Sequence, residues 1–319
     1  MRTQIASDWI QAYPTDSEIL VVAHSGEAST DLHLRVVRAT GAWFGIKRFT
    51  LNFLASRMAQ HALVAAGTAP ASNLSLTAVV ARAIHSLQSE GNLHYFEPVA
   101  TRPGFPLAVA RTLEELRMNE VDVESLARLA RGGEDLAAIA RVVDQELTNS
   151  RLSDRAALFR AAIDSITSSA NSGYIGLPLL LFDVAVRSRL ENTFIRELAT
   201  LAPDVLATAP QGDERSIVWL EEALQCKRNK ETGRGTGRRG TRCRLSYRSK
   251  LTLFAKQHLF EDSAPRLNPL DQSLRVNSWP GEPRECVEIV RVFKLKRRRA
   301  CRSIRWRSCS ILPAITDPI

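Results

Sequence analysis

Residues 177–184 have the sequence L-P-L-L-L-F-D-V, an apolar run that ends in a carboxylate at Asp183. An apolar run without polar alternation is typical of a strand buried on both faces, as in the centre of a parallel sheet. Helical spacing follows at residues 188–201 and 213–224, with a short strand pattern at 205–208 between them. This alternation of strands and helices predicts an α/β fold with a parallel sheet.

A second strand is predicted at residues 18–23 (E-I-L-V-V-A), between an amphipathic helix over residues 1–13 and a helix over residues 27–38. The long stretch between the two strands has helical periodicity throughout. Its predicted helices are 51–66, 77–88, 106–118, 123–130, 134–147 and 154–166, the last with Ser153 as N-cap. We therefore expect an α/β sheet interrupted by an all-helical insertion at about residues 51–168.

The charge of the chain changes sign after residue 225. Residues 1–225 hold 20 Lys and Arg against 26 Asp and Glu, a net charge of −6, whereas residues 226–319 hold 23 against 8, a net charge of +15. We predict an acidic domain over residues 1–225 and a basic linker over 226–250, too polar and too rich in glycine to pack. Residues 294–319 are predicted to be a disordered basic tail.

The N-terminus, the apolar runs and the cysteine spacing bear on localisation and metal binding. The N-terminus lacks the pattern of a signal peptide, and the longest apolar run is too short to span a bilayer, so we expect a cytoplasmic protein with no membrane partner. The five cysteines, all within residues 226–319, form no C-x-x-C pair and have no histidine at ligand spacing. No metal site is predicted.

A phosphate-binding loop would lie after the first strand, where residues 24–30 are H-S-G-E-A-S-T. This loop lacks the second glycine and the lysine of such loops, and Lys47 is the sole lysine in residues 1–225. ATP hydrolysis is therefore not expected. Two interpretations stay open: a degenerate nucleotide site formed by Ser25, Gly26 and Asp183, or a plain turn with Asp183 in a structural role instead of binding magnesium.

Nuclease and nucleic-acid-binding motifs give a mixed picture. No lysine has an acidic residue two positions before it, so the chain lacks a PD-(D/E)XK nuclease centre and no catalytic residue is predicted. The aromatic and basic stretch at residues 43–50 (W-F-G-I-K-R-F-T) places Lys47 and Arg48 as candidate contacts to a DNA backbone. The alternative is a buried strand with two exposed cations.

Several segments together carry a family resemblance, although none is a catalytic motif. They are I-L-V-V-A near residue 20, F-G-I-K-R-F-T-L-N-F-L-A-S-R-M-A (44–59), Y-F-E-P-V-A-T-R-P-G-F-P-L-A-V-A-R-T-L-E-E-L-R (95–117), L-S-D-R-A-A-L-F (152–159), L-P-L-L-L-F-D-V (177–184) and W-P-G-E-P-R-E-C-V-E-I-V-R (279–291). This succession resembles the N-terminal part of bacterial AddB-type helicase–exonuclease subunits, which are PD-(D/E)XK nuclease family proteins with a UvrD-like helicase scaffold.

The resemblance covers residues 15–225 and 255–293 and implies a RecA-like, helicase-type parallel sheet with a helical insertion. It implies DNA and an AddA-like helicase subunit as partners, and Arg284 joins the candidate DNA contacts. The intact family uses ATP and magnesium, but no cofactor is expected for this chain, which lacks the phosphate-loop lysine and the second acid after the core strand.

By the same resemblance, residues 251–293 are the start of a second, incomplete helicase-like lobe, with no nuclease domain before Ile319. Residues 294–319 match no fold, and one back-translation of residues 293–317 gives V-A-I-L-L, a strand-like segment, in another frame. We hypothesise a frameshift near Val292. The expected function is a non-catalytic, helicase-like fragment of a double-strand-break repair enzyme; the alternatives are a stand-alone nucleic-acid-binding protein acting through its basic tail, or an inactive truncated product.

Overall fold

The structure, a computed structural model, describes residues 2–129, 131–168, 173–210 and 212–226, together with Val287, Val290 and Arg291. Residues 2–226 belong to one compact unit, and the three later residues belong to a second. The predicted basic linker, second lobe and tail, and the candidate contact Arg284, lie outside the described residues.

The described elements alternate between helices and strands, except for four α-helices within residues 73–149 that follow one another without a strand. The strands are β1 (Ile19–Ala23), β2 (Ile46–Thr50), β3 (Ala69–Pro70), β4 (Leu152–Ser153), β5 (Leu179–Phe182) and β6 (Val205–Thr208). The helices are α1 (Arg2–Gln11), α2 (Gly26–Thr40), α3 (Leu51–Ala65), α4 (Asn73–Ser89), α5 (Phe105–Met118), α6 (Val123–Ala127), α7 (Gly133–Asn149), α8 (Arg155–Thr167), α9 (Arg189–Leu201) and α10 (Glu214–Ala223), with a 3-10 turn at Glu97–Val99.

Four strands form a parallel sheet in the order β2-β1-β5-β6. Strands β1 and β5 pair in the centre, with Val22 opposite Leu181, and every residue of both strands is buried. The apolar run that predicted a central strand therefore lies in the centre of the sheet. The α/β class with a parallel sheet is confirmed.

Helices cover both faces of the sheet. On one face, α1 and α2 pack against alternate residues of β1 and β5, with Ile10, Leu32 and Leu180 in the shared core. On the other face, α3, α8, α9 and α10 pack against the remaining residues, with Phe159, Phe194 and Leu181 in the core. The two faces explain why β1 and β5 have no polar alternation.

A third hydrophobic core lies within the helical part, where α4, α5 and α7 pack on one another through residues such as Val80, Leu113 and Val143. Helices α3 and α8 fall inside the range predicted for the insertion, but they pack on the sheet. The part with its own core is therefore narrower than residues 51–168. It is also not entirely helical, because β3 and β4 form a short parallel pair, Ala69 opposite Leu152.

The N-cap of α8 differs from the prediction. Asp154 caps this helix by accepting a hydrogen bond from the backbone N–H of Ala157 at 2.8 Å. Ser153 lies in β4 instead, and its hydroxyl hydrogen-bonds the Thr68 hydroxyl at 3.0 Å. An aspartate carboxylate caps a helix at least as well as a serine hydroxyl. The Ser153 side chain can therefore bond to Thr68 beside the strand pair without loss of the cap.

Among the helices that the structure describes, none is both long enough and apolar enough to cross a membrane.

Candidate functional site

The carboxyl edge of the sheet is where an open parallel α/β fold binds ligands, at the point where the strand order changes direction. The chain continues from β1 to its neighbour β2 on one side, and from β5 to its neighbour β6 on the other side. The strand order therefore changes direction between β1 and β5. Ala23 pairs with Phe182, and the N–H of His24 donates to the Phe182 carbonyl at 3.2 Å. Ser25, Gly26 and Asp183, predicted from the sequence, therefore follow neighbouring strands at one edge.

Helix α2 begins only two residues after β1, which leaves no long loop of backbone N–H groups to surround a phosphate. Ser25 is the N-cap, and its hydroxyl accepts from the Ala28 N–H at 3.2 Å. The pKa of Glu27 is lowered by hydrogen bonds from its own backbone N–H and from the Ser25 hydroxyl. Two N–H donors in the first turn of α2, those of Glu27 and Ala28, are thus already engaged by side chains of the same turn.

Asp183 has a left-handed backbone, with φ of 53°, and its side chain is 11% exposed. The carboxylate accepts from Arg2 Nε at 2.9 Å and from the Thr208 hydroxyl at 2.9 Å. Its backbone N–H donates to the Thr208 carbonyl at 3.0 Å. Asp183 therefore ties α1, β5 and β6 together, and these contacts support the structural interpretation over a magnesium ligand.

The candidate DNA contacts Lys47 and Arg48 meet different neighbours. Lys47 Nζ lies 3.0 Å from a Glu18 carboxylate oxygen, donates to the Gly173 carbonyl at 2.7 Å and sits 5.7 Å from the centre of the Tyr174 ring. Arg48 is exposed and donates to the Thr30 hydroxyl of α2 at 3.3 Å. Successive strand residues point to opposite faces of a sheet, so the two cations do not share one surface.

Arg48 also affects a histidine of α2. The pKa of His33 is lowered, first by burial and then by the positive charge of Arg48. The His33 Nδ1 atom is buried and has no hydrogen-bond partner among the described residues. Burial and the nearby arginine both favour the neutral form of this imidazole.

The segment after β5 is fixed by Glu191, which is 4% exposed. Its carboxylate accepts from the backbone N–H groups of Arg187 at 2.7 Å and Ser188 at 3.1 Å, and from Arg155 Nη2 at 2.5 Å. Ser188 completes a capping box with Glu191 at the start of α9. The backbone of this segment is consequently held in place from both α8 and α9.

Three arginines lie where this segment meets the start of α10, and we call Arg187, Arg189 and Arg215 the arginine edge. All three are exposed, and Arg215 Nη2 donates to the Arg187 carbonyl at 3.1 Å. Arg187 and Arg189 flank the N-cap of α9, where the helix dipole disfavours positive charge. Neither forms an ion pair with a described carboxylate, so helix stability does not account for them.

The carboxylates nearest in sequence to the arginine edge are occupied by other roles. Asp183 pairs with Arg2, and Glu191 pairs with Arg155. Asp213 caps α10 by accepting from the Ser216 N–H at 3.1 Å, and Glu214 is also engaged. The arginine edge therefore presents exposed cations that favour binding of anions such as phosphate, whereas the first N–H groups of α9 already donate to Asn119 and Ser188.

Sequence reasoning missed the arginine edge and the partners of Asp183. The sequence did carry a signal for the arginine edge. Two arginines lie at the start of a predicted helix, where the helix dipole disfavours positive charge. No local signal pointed to Arg2, which lies 181 residues from Asp183 along the chain. Thr208 ends a predicted strand beside β5, so strand pairing alone would have placed it near Asp183.

A concave depression of about 330 Å³ lies at the opposite, amino edge of the sheet, among Thr15, Asp16, Glu18, Ala42, Phe44 and Gly45. These residues precede β1 and β2, whereas ligands of open parallel sheets bind at the carboxyl ends of the strands. Glu18 is already paired with Lys47. The carboxyl edge thus remains the candidate site.

No protein-family model matches the chain, and no curated protein sequence matches it. The class of protein that the fold defines is an α/β domain with a parallel sheet and a helical part between β2 and β5.

Proposed function

We propose that this chain is the N-terminal, helicase-like part of an AddB-type repair enzyme, and that it binds DNA without hydrolysing ATP. The proposal includes a RecA-like origin for the sheet and an AddA-like helicase subunit as partner. The observation that carries it is the arginine edge, Arg187, Arg189 and Arg215, at the carboxyl edge of the parallel sheet. Exposed arginines bind the phosphates of a nucleic-acid backbone.

The absence of catalysis is supported by what the candidate nucleotide residues do. Ser25 caps α2, Asp183 pairs with Arg2, and Lys47 pairs with Glu18 at the amino end of β1. Phosphoryl transfer needs a cation on the transferring phosphate and an acid that holds magnesium. At this edge the acid Asp183 and the loop serine Ser25 are engaged within the fold, whereas Arg187 and Arg189 remain available to bind phosphate.

The test is the salt dependence of DNA binding by the full chain and by the double variant Arg187→Gln/Arg189→Gln. Each phosphate contact that is lost lowers the slope of log K against log salt by roughly 0.9 for duplex DNA. We expect the double variant to bind more weakly and with a slope lower by about 2. Fluorescence anisotropy with a labelled duplex at several salt concentrations measures both quantities.

The matched control is Arg38→Gln/Arg111→Gln, which removes the same charge from exposed positions on α2 and α5. If only the overall charge mattered, the slope would fall equally in both double variants. That result would refute the assignment of DNA contacts to the arginine edge. Unchanged binding by Arg187→Gln/Arg189→Gln would attribute DNA binding to other residues, such as the basic residues 226–319. A chain that binds no DNA at low salt would overturn the proposal altogether.

A further inference from the structure

A second surface, in the helical part, is not explained by the carboxyl edge. Residues 94–105, H-Y-F-E-P-V-A-T-R-P-G-F, cover the end of the connection from α4 and the first residue of α5, and Tyr95 in this connection is 55% exposed. Its ring packs edge-to-face on Phe96, with 5.1 Å between centroids, and Phe96 packs on Phe105 at 5.3 Å. Tyr95 is therefore the exposed end of a row of three aromatic rings.

The backbone on either side of Tyr95 is held by a buried carboxylate. Asp135 of α7 is 3% exposed, and one of its oxygens accepts from the N–H of His94 at 3.0 Å and from the N–H of Phe96 at 2.9 Å. A buried carboxylate with two charge-assisted hydrogen bonds is a strong anchor. The exposed ring thus stands on a rigid segment, although surface loops are usually mobile.

The turn before α7 approaches the same ring. Gly132 has φ of 84°, and a Cβ placed on it would lie 2.5 Å from Tyr95 Cδ1 and 2.9 Å from Phe96 Cζ. Arg131 before it also has a left-handed backbone, with φ of 57°, which costs a non-glycine residue about 1–2 kcal/mol. The close approach places the exposed Arg131 next to the glycine that contacts the tyrosine ring.

The charges around the ring favour an anionic ligand. Arg102, Arg128 and Arg131 are exposed on the segments that hold the ring, and none forms an ion pair with a described carboxylate. His94 is exposed beside the ring, while Glu97 and Glu134 are the exposed acids of the same segments. The exposed charges on these segments are three arginines against two acids, and the buried Asp135 carboxylate makes the segments neutral overall, in a domain whose net charge is −6.

We propose that Tyr95 is a stacking platform for an unpaired base of single-stranded DNA, with Arg131 and its neighbouring arginines on the phosphates. This inference rests on the proposed DNA-binding function and adds the kind of strand that is bound. An exposed aromatic ring flanked by cations is the arrangement that single-strand binders use, since every base has a face that can stack. Bases within a duplex already stack on their neighbours, so the platform discriminates against double strands.

The experiment compares binding of a labelled oligo(dT) and of a duplex of equal length to the full chain and three variants. We expect Tyr95→Ala to weaken oligo(dT) binding about fivefold or more, and Tyr95→Phe, which keeps the ring, to stay within about twofold. Duplex binding should be unchanged in both. Phe44→Ala is the matched control, because it removes an aromatic ring that is 92% exposed at the amino edge of the sheet.

The outcomes separate this inference from the proposed function. If the unmodified chain binds oligo(dT) and Tyr95→Ala binds it equally well, the platform is wrong while DNA binding stands. Equal weakening of oligo(dT) and duplex by Tyr95→Ala would refute the single-strand preference, and equal weakening by Tyr95→Phe would refute stacking. If Phe44→Ala weakened oligo(dT) binding as much as Tyr95→Ala, the effect would not be specific to Tyr95 and the platform would be refuted. If the unmodified chain binds neither ligand, both proposals fail.

Discussion

At the scale of single residues, Gly45 shows how closely two segments approach at the amino edge of the sheet. Its carbonyl accepts from the Ile19 N–H at 2.9 Å, and a Cβ on Gly45 would lie 2.0 Å from the Ser17 carbonyl oxygen. The atoms in the way belong to backbone, so β1 and β2 would have to separate locally. No other residue type fits this position without that movement.

We therefore expect Gly45→Ala to lower the free energy of unfolding by about 1–3 kcal/mol, the range for overpacking a tight contact. Urea unfolding followed by circular dichroism measures the change. Gly26→Ala is the control, because no atom lies within 4 Å of a Cβ placed there and the residue is already helical. The control should be as stable as the unmodified chain or slightly more stable. Equal stability of Gly45→Ala and the control would mean that the two segments separate at no cost.

At the scale of elements, hydrophobic periodicity predicted most of the helices and three of the four strands of the main sheet. Strand β6 has the predicted bounds, and β1 and β5 lie within the predicted runs. Strand β2 was only one of two interpretations, because its residues are half-buried or exposed and Lys47 and Arg48 interrupt the apolar pattern. Strands β3 and β4 escaped prediction because a two-residue pair 83 residues apart has no periodicity to detect.

The start of α9 is the element end on which the candidate site depends. Ser188 is 4% exposed and accepts from the Glu191 N–H, while Glu191 accepts from the Ser188 N–H at 3.1 Å. We expect Ser188→Ala to lower the free energy of unfolding by about 1 kcal/mol, the usual cost of losing such a cap. It should also weaken DNA binding by loosening the segment that presents Arg187 and Arg189.

Ser89→Ala in α4 is the matched control, because that hydroxyl donates to the His85 carbonyl within the helix and caps nothing. The control should change stability by less than about 0.5 kcal/mol. Chemical unfolding and DNA titration of both variants give the comparison. If Ser188→Ala loses stability but binds DNA normally, the segment after β5 does not position the arginine edge.

At the scale of the whole molecule, the sequence predicted which strand ends would meet but not what the side chains there would do. Parallel pairing of β1 and β5 brings Ser25 and Asp183 to one edge, as expected from the strand patterns. The partner of Asp183 is Arg2, on a helix at the other end of the domain sequence. A contact between residues so far apart depends on how α1 packs beside β6, which periodicity does not specify.

Two of the three cores of the domain are joined by ion pairs of one arginine. Arg117 of α5 is 13% exposed and lies 2.8 Å from the carboxylate of Asp154, the N-cap of α8, and 2.8 Å from that of Asp144 on α7. Helix α8 belongs to the core on the sheet, whereas α7 belongs to the core of the helical part. One guanidinium thus links two separately packed cores.

Replacing Arg117 with methionine keeps an unbranched stem but removes the guanidinium, which leaves the Asp154 carboxylate, 10% exposed, without its cation. Breaking a pair this buried costs about 3 kcal/mol of stability. We expect the helical part to lose most of this stability, because its core is smaller and it also loses the ion pair between Arg117 and Asp144. Native-state hydrogen exchange measures this directly, since amides of α4, α5 and α7 should then exchange at a lower free energy than those of β1 and β5.

Arg141→Met is the control for this comparison, because its ion pair with Glu124 joins α6 and α7 within the helical part and is half exposed, 50% on the arginine side. An exposed pair contributes at most about 1 kcal/mol, so this variant should exchange almost as the unmodified chain does. A uniform loss of protection in Arg117→Met, equal in strands and helices, would show that the cores unfold as one unit. Separate opening would instead show that the helical part unfolds at a lower free energy than the sheet.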